Sequence, residues 1–346
     1  MINSLGDRKM KIGKIDTKKQ VALVAEIGNN HEGLVSLAED LIGLANEAGA
    51  NAVKFQYYKL DLYVDKSNLE RREQLKKYAL SDFEVEKLFS FANERGVHLF
   101  ATPFDLDSAS VLSRHAKTFK IASGDITYTQ LIEYISKLGR DLIISTGASS
   151  YDEVETVINL IESIWKLNSK DADLAILHCV SAYPAKSSAL NLRVIGELKK
   201  RFPNHTIGFS DHTVGIESAL RAVAAGAYIV EKHFTIDKEY SNFRDHALSC
   251  DFNELKELRN RISELEEELG NGVKGAHESE ISNKKIIRRS FAAAQNLHKG
   301  QVIRVENLIC LRPESGIPSN DLKSVENKTL IRNLYKGEII QSSDLI

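Results

Sequence analysis

The sequence predicts an α/β protein: a (β/α)8 TIM barrel followed by a small, mostly β C-terminal domain. Eight short apolar, β-rich runs alternate with amphipathic stretches over about 250 residues, the arrangement and size of such a barrel. No glycine-rich dinucleotide fingerprint follows the first run, which argues against an open doubly wound sheet. Most runs also become polar at their last residues, as expected where strand ends form an active-site face.

The eight predicted strands are short and rich in β-branched and aromatic residues. They begin at Val21, Ala52, His98, Thr118, Leu142, Leu174, Thr206 and Tyr228. The polar residues that end them include Glu26, Lys54, Thr102, Lys120, Ser145, Ser181, Asp211, His212, Glu231 and His233. A long charged helix, FNELKELRNRISELEEELG, follows the eighth strand and is expected to close the outer ring of helices.

Composition shifts divide the chain into four parts. We expect an N-terminal extension over 1–20, the barrel over 21–270, a glycine-rich polar linker over 271–285 and the small domain over 286–346. The last part has strand-like runs (SFAAAQ, QVIRVENL, EIIQSSDLI) and more Lys and Arg than Asp and Glu. A module of about 60 residues is small for independent stability, so we expect it to dock on another surface.

Charge and cysteine content limit the function classes. The 346 residues carry a net charge of −2, which gives no sign of binding to nucleic acid or to an anionic membrane. No apolar run approaches the roughly 20 residues of a membrane span, and the N-terminus does not resemble a signal peptide. Cys179, Cys250 and Cys310 have no metal or redox spacing. We therefore expect a soluble, cytoplasmic protein with no nucleic-acid or membrane partner.

His212 and His233 end consecutive strands, where their side chains can converge above the barrel. Neutral imidazole is a common ligand of divalent metals. The alternative is one structural and one surface histidine, but the polar contexts SDHT and EKHFT argue against core packing. Two histidines alone predict an open site, whose other positions take water and substrate oxygen.

Two lysines, Lys54 and Lys120, end apolar runs, and burial of an unpaired ammonium is costly. With the hydroxyls of Thr102, Ser123 and Ser145 they could form a cradle for phosphate and carboxylate groups.

Two other interpretations of the lysines stay open. They could form salt bridges with Glu26 and Glu231, or one could be the nucleophile of a Schiff-base aldolase, a class that usually needs no metal. Glu26 itself could act as a general base, bind substrate hydroxyls or pair with Lys54. Tyr183 and Asp245 lie in the loops after the sixth and eighth strands and are candidates for sugar contacts.

These segments together resemble the sialic acid synthase family. The matching segments are AEIGNNHEG, AVKFQ, ATPFD, KIASGD, ISTG, LHCVSAYP, GFSDHT and EKHFT. The tail, with LRPESGIPSNDL and LYKGEIIQSSDL, resembles the family's antifreeze-like (SAF) domain. The resemblance extends from about residue 20 to the end.

The resemblance implies condensation of phosphoenolpyruvate with an N-acetylated amino sugar, giving a nonulosonic acid and phosphate. It implies a divalent metal, Mn²⁺ or alternatively Mg²⁺ or Co²⁺, at His212 and His233. The implied catalytic residues are Glu26, Lys54, Lys120, Tyr183 and Asp245, and the implied phosphoenolpyruvate contacts include Thr102, Ser123 and Ser145. It further implies a domain-swapped homodimer in which Arg312 reaches the acyl group of the sugar.

Two positions near the implied substrate depart from N-acetylneuraminate synthases. Asp125 replaces a longer acid, and Ser181 stands where asparagine is common. The serine resembles legionaminic or pseudaminic acid synthases, whereas EIGNNH and KFQ resemble the pseudaminic branch less. We therefore expect N-acetylmannosamine or a 2,4-diacetamido-6-deoxy sugar as acceptor, with pseudaminic acid synthesis as the alternative.

Overall fold

The computed structural model describes residues 10–346, which divide after Gly270 into two compact units. Residues 1–9 of the predicted N-terminal extension lie outside the described residues. The next residues of the chain form an antiparallel hairpin of strands β1 (Lys11–Ile12) and β2 (Ile15–Asp16). Part of the predicted extension is therefore ordered structure.

Eight parallel strands close into a barrel, which confirms the predicted fold class. They are β3 (Ala22–Gly28), β4 (Ala52–Tyr57), β5 (Leu99–Pro103), β6 (Thr118–Ile121), β7 (Asp141–Ser145), β8 (Leu174–Cys179), β9 (Thr206–Asp211) and β10 (Ile229–His233). Each overlaps one predicted strand, and β10 pairs with both β9 and β3 to complete the ring.

Helices alternate with these strands. They are α1 (Val35–Glu47), α2 (Leu60–Tyr63), α3 (Leu69–Tyr78), α4 (Asp82–Glu94), α5 (Leu106–Leu112), α6 (Thr129–Leu138), α7 (Tyr151–Leu167), α8 (Arg193–Arg201), α9 (Glu217–Ala224), α10 (Arg244–Leu248) and α11 (Phe252–Leu269). Capping boxes begin α7 at Ser150 and α11 at Asp251. None of the helices in residues 10–346 is long and apolar enough to cross a membrane.

Side chains inside the barrel change from apolar to polar along the strands. Alternate residues of a barrel strand face the lumen, so β10 presents Ile229, then Glu231, then His233. At the amino-terminal end the lumen holds an apolar cluster to which the β1–β2 hairpin contributes Met10 and Ile12. The polar residues thus collect at the carboxyl-terminal mouth.

The second unit, residues 271–346, has its own apolar core. It contains α12 (Glu278–Ile287) and the antiparallel strands β11 (Ser290–Ala293) and β12 (Leu308–Leu311), and its other pairings are isolated bridges. Helix α12 begins at Glu278, inside the segment 271–285 that was predicted as a linker. A capping box between His277 and Glu280 starts this helix, and lysines in its last turn favour it.

Candidate active site

A cavity of about 650 Å³ opens at the carboxyl ends of the barrel strands. Twelve of the thirteen predicted site residues line it: Glu26, Lys54, Thr102, Lys120, Ser123, Asp125, Ser145, Ser181, Tyr183, His212, His233 and Asp245. The thirteenth, Arg312, belongs to the second unit, and its role stays a prediction. The barrel therefore brings together residues that are far apart in the sequence.

Ion pairs at the base of the cavity join the two lysines to two carboxylates. Lys54 Nζ lies 2.6 Å from Glu26 Oε2 and 3.8 Å from Glu231 Oε1, and Lys120 Nζ lies 3.0 Å from Glu231 Oε1. Lys54 also donates to the Thr102 hydroxyl at 3.1 Å. All four charged groups are buried, so each ammonium needs these partners. The salt-bridge interpretation of the lysines is correct, and the cavity lining leaves them accessible to an anionic ligand.

The two carboxyl groups have opposite pKa shifts. Burial raises the pKa of Glu26, although Lys54 beside it acts in the other direction. Burial also acts to raise the pKa of Glu231, but Lys120 and Lys54 outweigh it and lower that pKa. Two carboxyl groups whose environments separate their pKa values are suited to different roles. Glu26 can exchange a proton near neutral pH, while Glu231 stays ionised and fixes the lysines.

Hydroxyl groups line the cavity near the turn after β7. The Gly147 N–H donates to Ser123 Oγ at 2.9 Å. A Cβ atom at Gly147 would come within 2.2 Å of Ser181 Oγ, so the close approach of these serines requires glycine here. Ser145 Oγ is buried and finds no hydrogen-bond partner among the described residues. This wall therefore offers hydroxyl donors to a ligand.

The two predicted metal ligands face one another, with 5.4 Å between the ring centroids of His212 and His233. His212 Nδ1 lies 3.0 Å from the carbonyl of Val180, a contact in which this nitrogen donates and Nε2 keeps its lone pair. His233 Nδ1 is buried and has no partner among residues 10–346. Burial lowers the pKa of both imidazoles, and neutral rings are the form that binds metals.

The donor set fits an open metal site. Across the described part of the chain, no group of three or more His, Cys, Asp and Glu side chains could enclose an ion. A structural zinc site has four protein ligands, whereas a catalytic metal keeps positions for water or substrate. Two neutral imidazoles in a polar cavity match the second kind.

A second wall of the cavity combines an aromatic ring with charged groups. The ring centroids of Tyr183 and His212 are 4.1 Å apart. The guanidinium group of Arg244 lies over the Tyr183 ring, 4.7 Å from its centroid. Arg244 Nε also contacts Asp245 Oδ1 at 3.2 Å. Elsewhere in the lining, burial raises the pKa of Asp125 to about 6, and its Oδ2 has no partner in the described residues. Both carboxyl groups line the cavity, where they can accept from hydroxyl or amide donors of a ligand.

Several cavity residues were not predicted as site residues. They are Tyr63, Arg71, Phe104, Ser210, Phe243 and Arg244. Glu231, which was predicted among the polar strand ends, also lines the cavity. Ser210 could have been found, because it lies two residues before His212 and so shares its side of the strand. Tyr63 and Arg71 belong to α2 and α3, which have no sequence pattern that points to the cavity.

Asp211 was predicted among the polar strand ends of the active-site face, and this is wrong. Its side chain is fully buried against Lys232, with 3.0 Å between Lys232 Nζ and Asp211 Oδ2, and it does not line the cavity. The reason is strand alternation: His212 faces the lumen, so its neighbour faces the surrounding layer.

The fold and cavity define a (β/α)8-barrel protein with a charged, histidine-bearing site at the strand carboxyl ends. The sequence profile of the NeuB family matches residues 41–274, and that of the SAF domain matches residues 288–346. The chain belongs to the NeuB family, and the predicted resemblance to sialic acid synthases is confirmed.

Relatives match along almost the whole chain. The N,N'-diacetyllegionaminic acid synthase of Campylobacter jejuni is 34% identical, over 93% of this chain and 99% of that protein. The protein of the same name from Legionella pneumophila is 36% identical, over 91% of this chain and 92% of that protein. The N-acetylneuraminic acid synthetase structure from Leptospira borgpetersenii superposes with a TM-score of 0.72 at 33% identity. The match covers 79% of this chain and 94% of that chain. These relatives are synthases, which supports an enzyme here too.

Proposed function

We propose that this protein is a transferase that condenses phosphoenolpyruvate with 2,4-diacetamido-6-deoxymannose to give a legionaminic-type acid and phosphate. One observation carries the proposal: two buried lysines, a carboxylate with a raised pKa and two neutral histidines line the same cavity. The relatives named for legionaminic acid are 34% and 36% identical, and those named for pseudaminic acid are 30% identical. N-acetylmannosamine is the second candidate acceptor, supported by the Leptospira structure.

Phosphoenolpyruvate carries a phosphate and a carboxylate, and the base of the cavity offers donors for both. Lys54 and Lys120 supply ammonium groups, and hydroxyl groups come from Thr102, Ser123 and Ser145. Charge-assisted hydrogen bonds of this kind are about twice as strong as neutral ones. Because Glu231 accepts from Lys120 at 3.0 Å, the ammonium is already oriented before the substrate arrives.

A divalent metal held by His212 and His233, proposed as Mn²⁺ with Mg²⁺ or Co²⁺ as alternatives, would supply Lewis-acid polarisation of the aldehyde oxygen of the open-chain sugar. Nitrogen ligands with open positions for oxygen suit such ions.

The reaction forms one C–C bond and breaks one C–O bond. C3 of phosphoenolpyruvate bonds to the aldehyde carbon, whose oxygen becomes a hydroxyl group, and a water oxygen bonds to C2. The bond between C2 and the phosphate oxygen then breaks, and C2 becomes a ketone that keeps the water oxygen. Of the two water protons, one ends on the new hydroxyl group and the other on the departing phosphate. Glu26 takes the proton from that water, a role that its raised pKa favours because a general base works best with a pKa near the working pH. Lys54, 2.6 Å from Glu26, holds this carboxylate in place.

The acceptor sugar is proposed to contact the opposite side of the cavity. Asp125 and Asp245 would accept from its hydroxyl or amide groups, and Ser181 and Tyr183 would flank it. The unpartnered Asp125 Oδ2 supports this assignment, since a buried carboxylate oxygen without a donor is costly until a ligand supplies one.

The test is phosphate release from phosphoenolpyruvate with Mn²⁺, with each sugar offered in parallel and with EDTA as a control. The proposal expects EDTA-sensitive turnover with the diacetamido sugar. Turnover with N-acetylmannosamine alone would make the protein a neuraminate synthase. Turnover only with the pseudaminic acid precursor would support the pseudaminic alternative.

The Schiff-base aldolase remains a distinct alternative. It needs a neutral amine. Burial favours the neutral form of Lys54, but Glu231 and Glu26 outweigh burial, raise the pKa of Lys54 and keep it protonated. Burial lowers the pKa of Lys120, so this lysine is the one to test. Borohydride with pyruvate should leave the protein mass unchanged, and a trapped adduct would favour the aldolase.

We also propose a cytoplasmic homodimer in which Arg312 of one subunit completes the site of the other. The cytoplasm is where phosphoenolpyruvate is made, and the three cysteines are free thiols. Mixing Arg312→Ala subunits with Glu26→Ala subunits should restore activity, because each mixed dimer then contains one intact site. No recovery would contradict completion in trans.

A further inference from the structure

A buried ion pair lies outside the lumen, between β10, which ends at His233, and β9, which ends one residue before His212. Lys232 Nζ is 3.0 Å from Asp211 Oδ2, and both side chains are fully buried. The mechanism above does not use either group. An ion pair without solvent gives a fold little net stability compared with apolar packing, so its presence calls for another explanation.

The register of the sheet places the pair between site residues. Lys232 of β10 is the direct partner of Asp211 of β9. Each precedes a histidine: His233 ends β10, and His212 directly follows β9. Because strand residues alternate between faces, fixing the outward pair also fixes the inward histidines that follow.

Further hydrogen bonds tie the pair to the backbone around His212. Asp211 Oδ1 accepts from the Thr213 N–H at 2.9 Å, and Lys232 Nζ donates to the Thr213 carbonyl. The residues on both sides of His212 are therefore held by one cross-strand network. On the other strand, the Cys250 N–H donates to the His233 carbonyl at 2.8 Å.

We propose that Asp211 and Lys232 are positioning residues that hold His212 and His233 at the separation needed for a divalent metal. This inference rests on the proposed metal site. The two residues do not touch metal or substrate; they act by restricting the backbones of β9 and β10. Groups that orient metal ligands commonly change affinity by about 10- to 100-fold when removed.

The main variant is the double substitution Asp211→Asn with Lys232→Met. It removes both charges together, so no unpaired charge is left buried, and asparagine keeps an oxygen for the Thr213 N–H. Asp211→Asn alone is the second variant, for use if the double variant does not fold. The matched control is Thr206→Val, which removes the buried contacts of Thr206 with Met10 and Thr17 at the opposite end of the same strand.

The measurement is Mn²⁺ binding without substrate, by electron paramagnetic resonance of the free ion, on protein shown to be folded. We expect the dissociation constant to rise at least about tenfold in the double variant and to stay unchanged in Thr206→Val. We also expect added Mn²⁺ to restore part of the turnover, with KM for phosphoenolpyruvate within about threefold of wild type, since Lys54 and Lys120 lie on other strands.

Two results would overturn the inference in different ways. If wild type binds Mn²⁺ and the charge-free variant binds equally well, the positioning role is wrong while the metal site stands. If wild type and His212→Ala bind Mn²⁺ equally weakly, the metal site itself is wrong, and the positioning role fails with it.

Discussion

The two ends of the barrel lumen are built by the same strands for opposite purposes. At the amino-terminal end Val24 and Phe100 pack with the Met10 and Ile12 side chains of the hairpin, and all are fully or almost fully buried. At the carboxyl-terminal end the same strands present Glu26 and other charged groups to a cavity. The difference shows that one end provides apolar burial, while the other holds buried charges that contribute little to stability.

The largest expected effect lies at the mouth. Glu26→Gln keeps the size of the side chain but removes the general base, so kcat should fall by about 100- to 10,000-fold. Steady-state phosphate release measures this, and calorimetric melting should show that the barrel still folds. Near-normal turnover would show that Glu26 is not the general base.

A core substitution at the amino-terminal end of the lumen should lower stability and leave substrate binding unchanged. Phe100 is fully buried in the lower cluster, and Phe100→Ala should lower the free energy of unfolding by about 3–5 kcal/mol. Denaturant titration measures the loss. The folded fraction should keep its KM for phosphoenolpyruvate, and a large change in KM would mean that the two ends are coupled.

The pH dependence should follow the raised pKa of Glu26. The base is active when ionised, so kcat/KM should be constant above that pKa and fall about tenfold per pH unit as the pH drops below it. The profile of kcat/KM against pH for the free enzyme checks this. If the residual activity of Glu26→Gln shows the same fall of kcat/KM at low pH, that fall reports the ionisation of another group.

The smallest effect is expected at the lower end of β9. Thr206 Oγ1 accepts from the Met10 N–H at 2.9 Å, and Thr206→Val removes this bond at a cost of about 1–3 kcal/mol because the donor is left buried. Thermal unfolding measures it. Turnover should be unchanged, and reduced turnover would show that the hairpin influences the mouth.

The contrast between the two ends was partly predictable from sequence. The eight strands follow from short apolar, β-rich runs that become polar at their last residues. The two-residue period of a strand then places residues such as Glu231 and His233 on one face. The same alternation should have excluded Asp211 from the site. The hairpin was not predicted, because strands of two residues carry no period, and Arg71 enters the cavity from a helix with no distinctive pattern. The α12 helix was hidden by the glycines that precede it.

The most direct test of this account is calorimetric binding of phosphoenolpyruvate in the presence of Mn²⁺ to three proteins: wild type, Lys120→Met and Thr206→Val. Lys120→Met removes a donor at the mouth, and Thr206→Val alters only the opposite end. The account predicts that wild type and Thr206→Val bind alike, whereas Lys120→Met binds at least about tenfold more weakly, as expected when a buried charged donor is lost. Equal binding by all three proteins would contradict a phosphoenolpyruvate site at the mouth of the barrel.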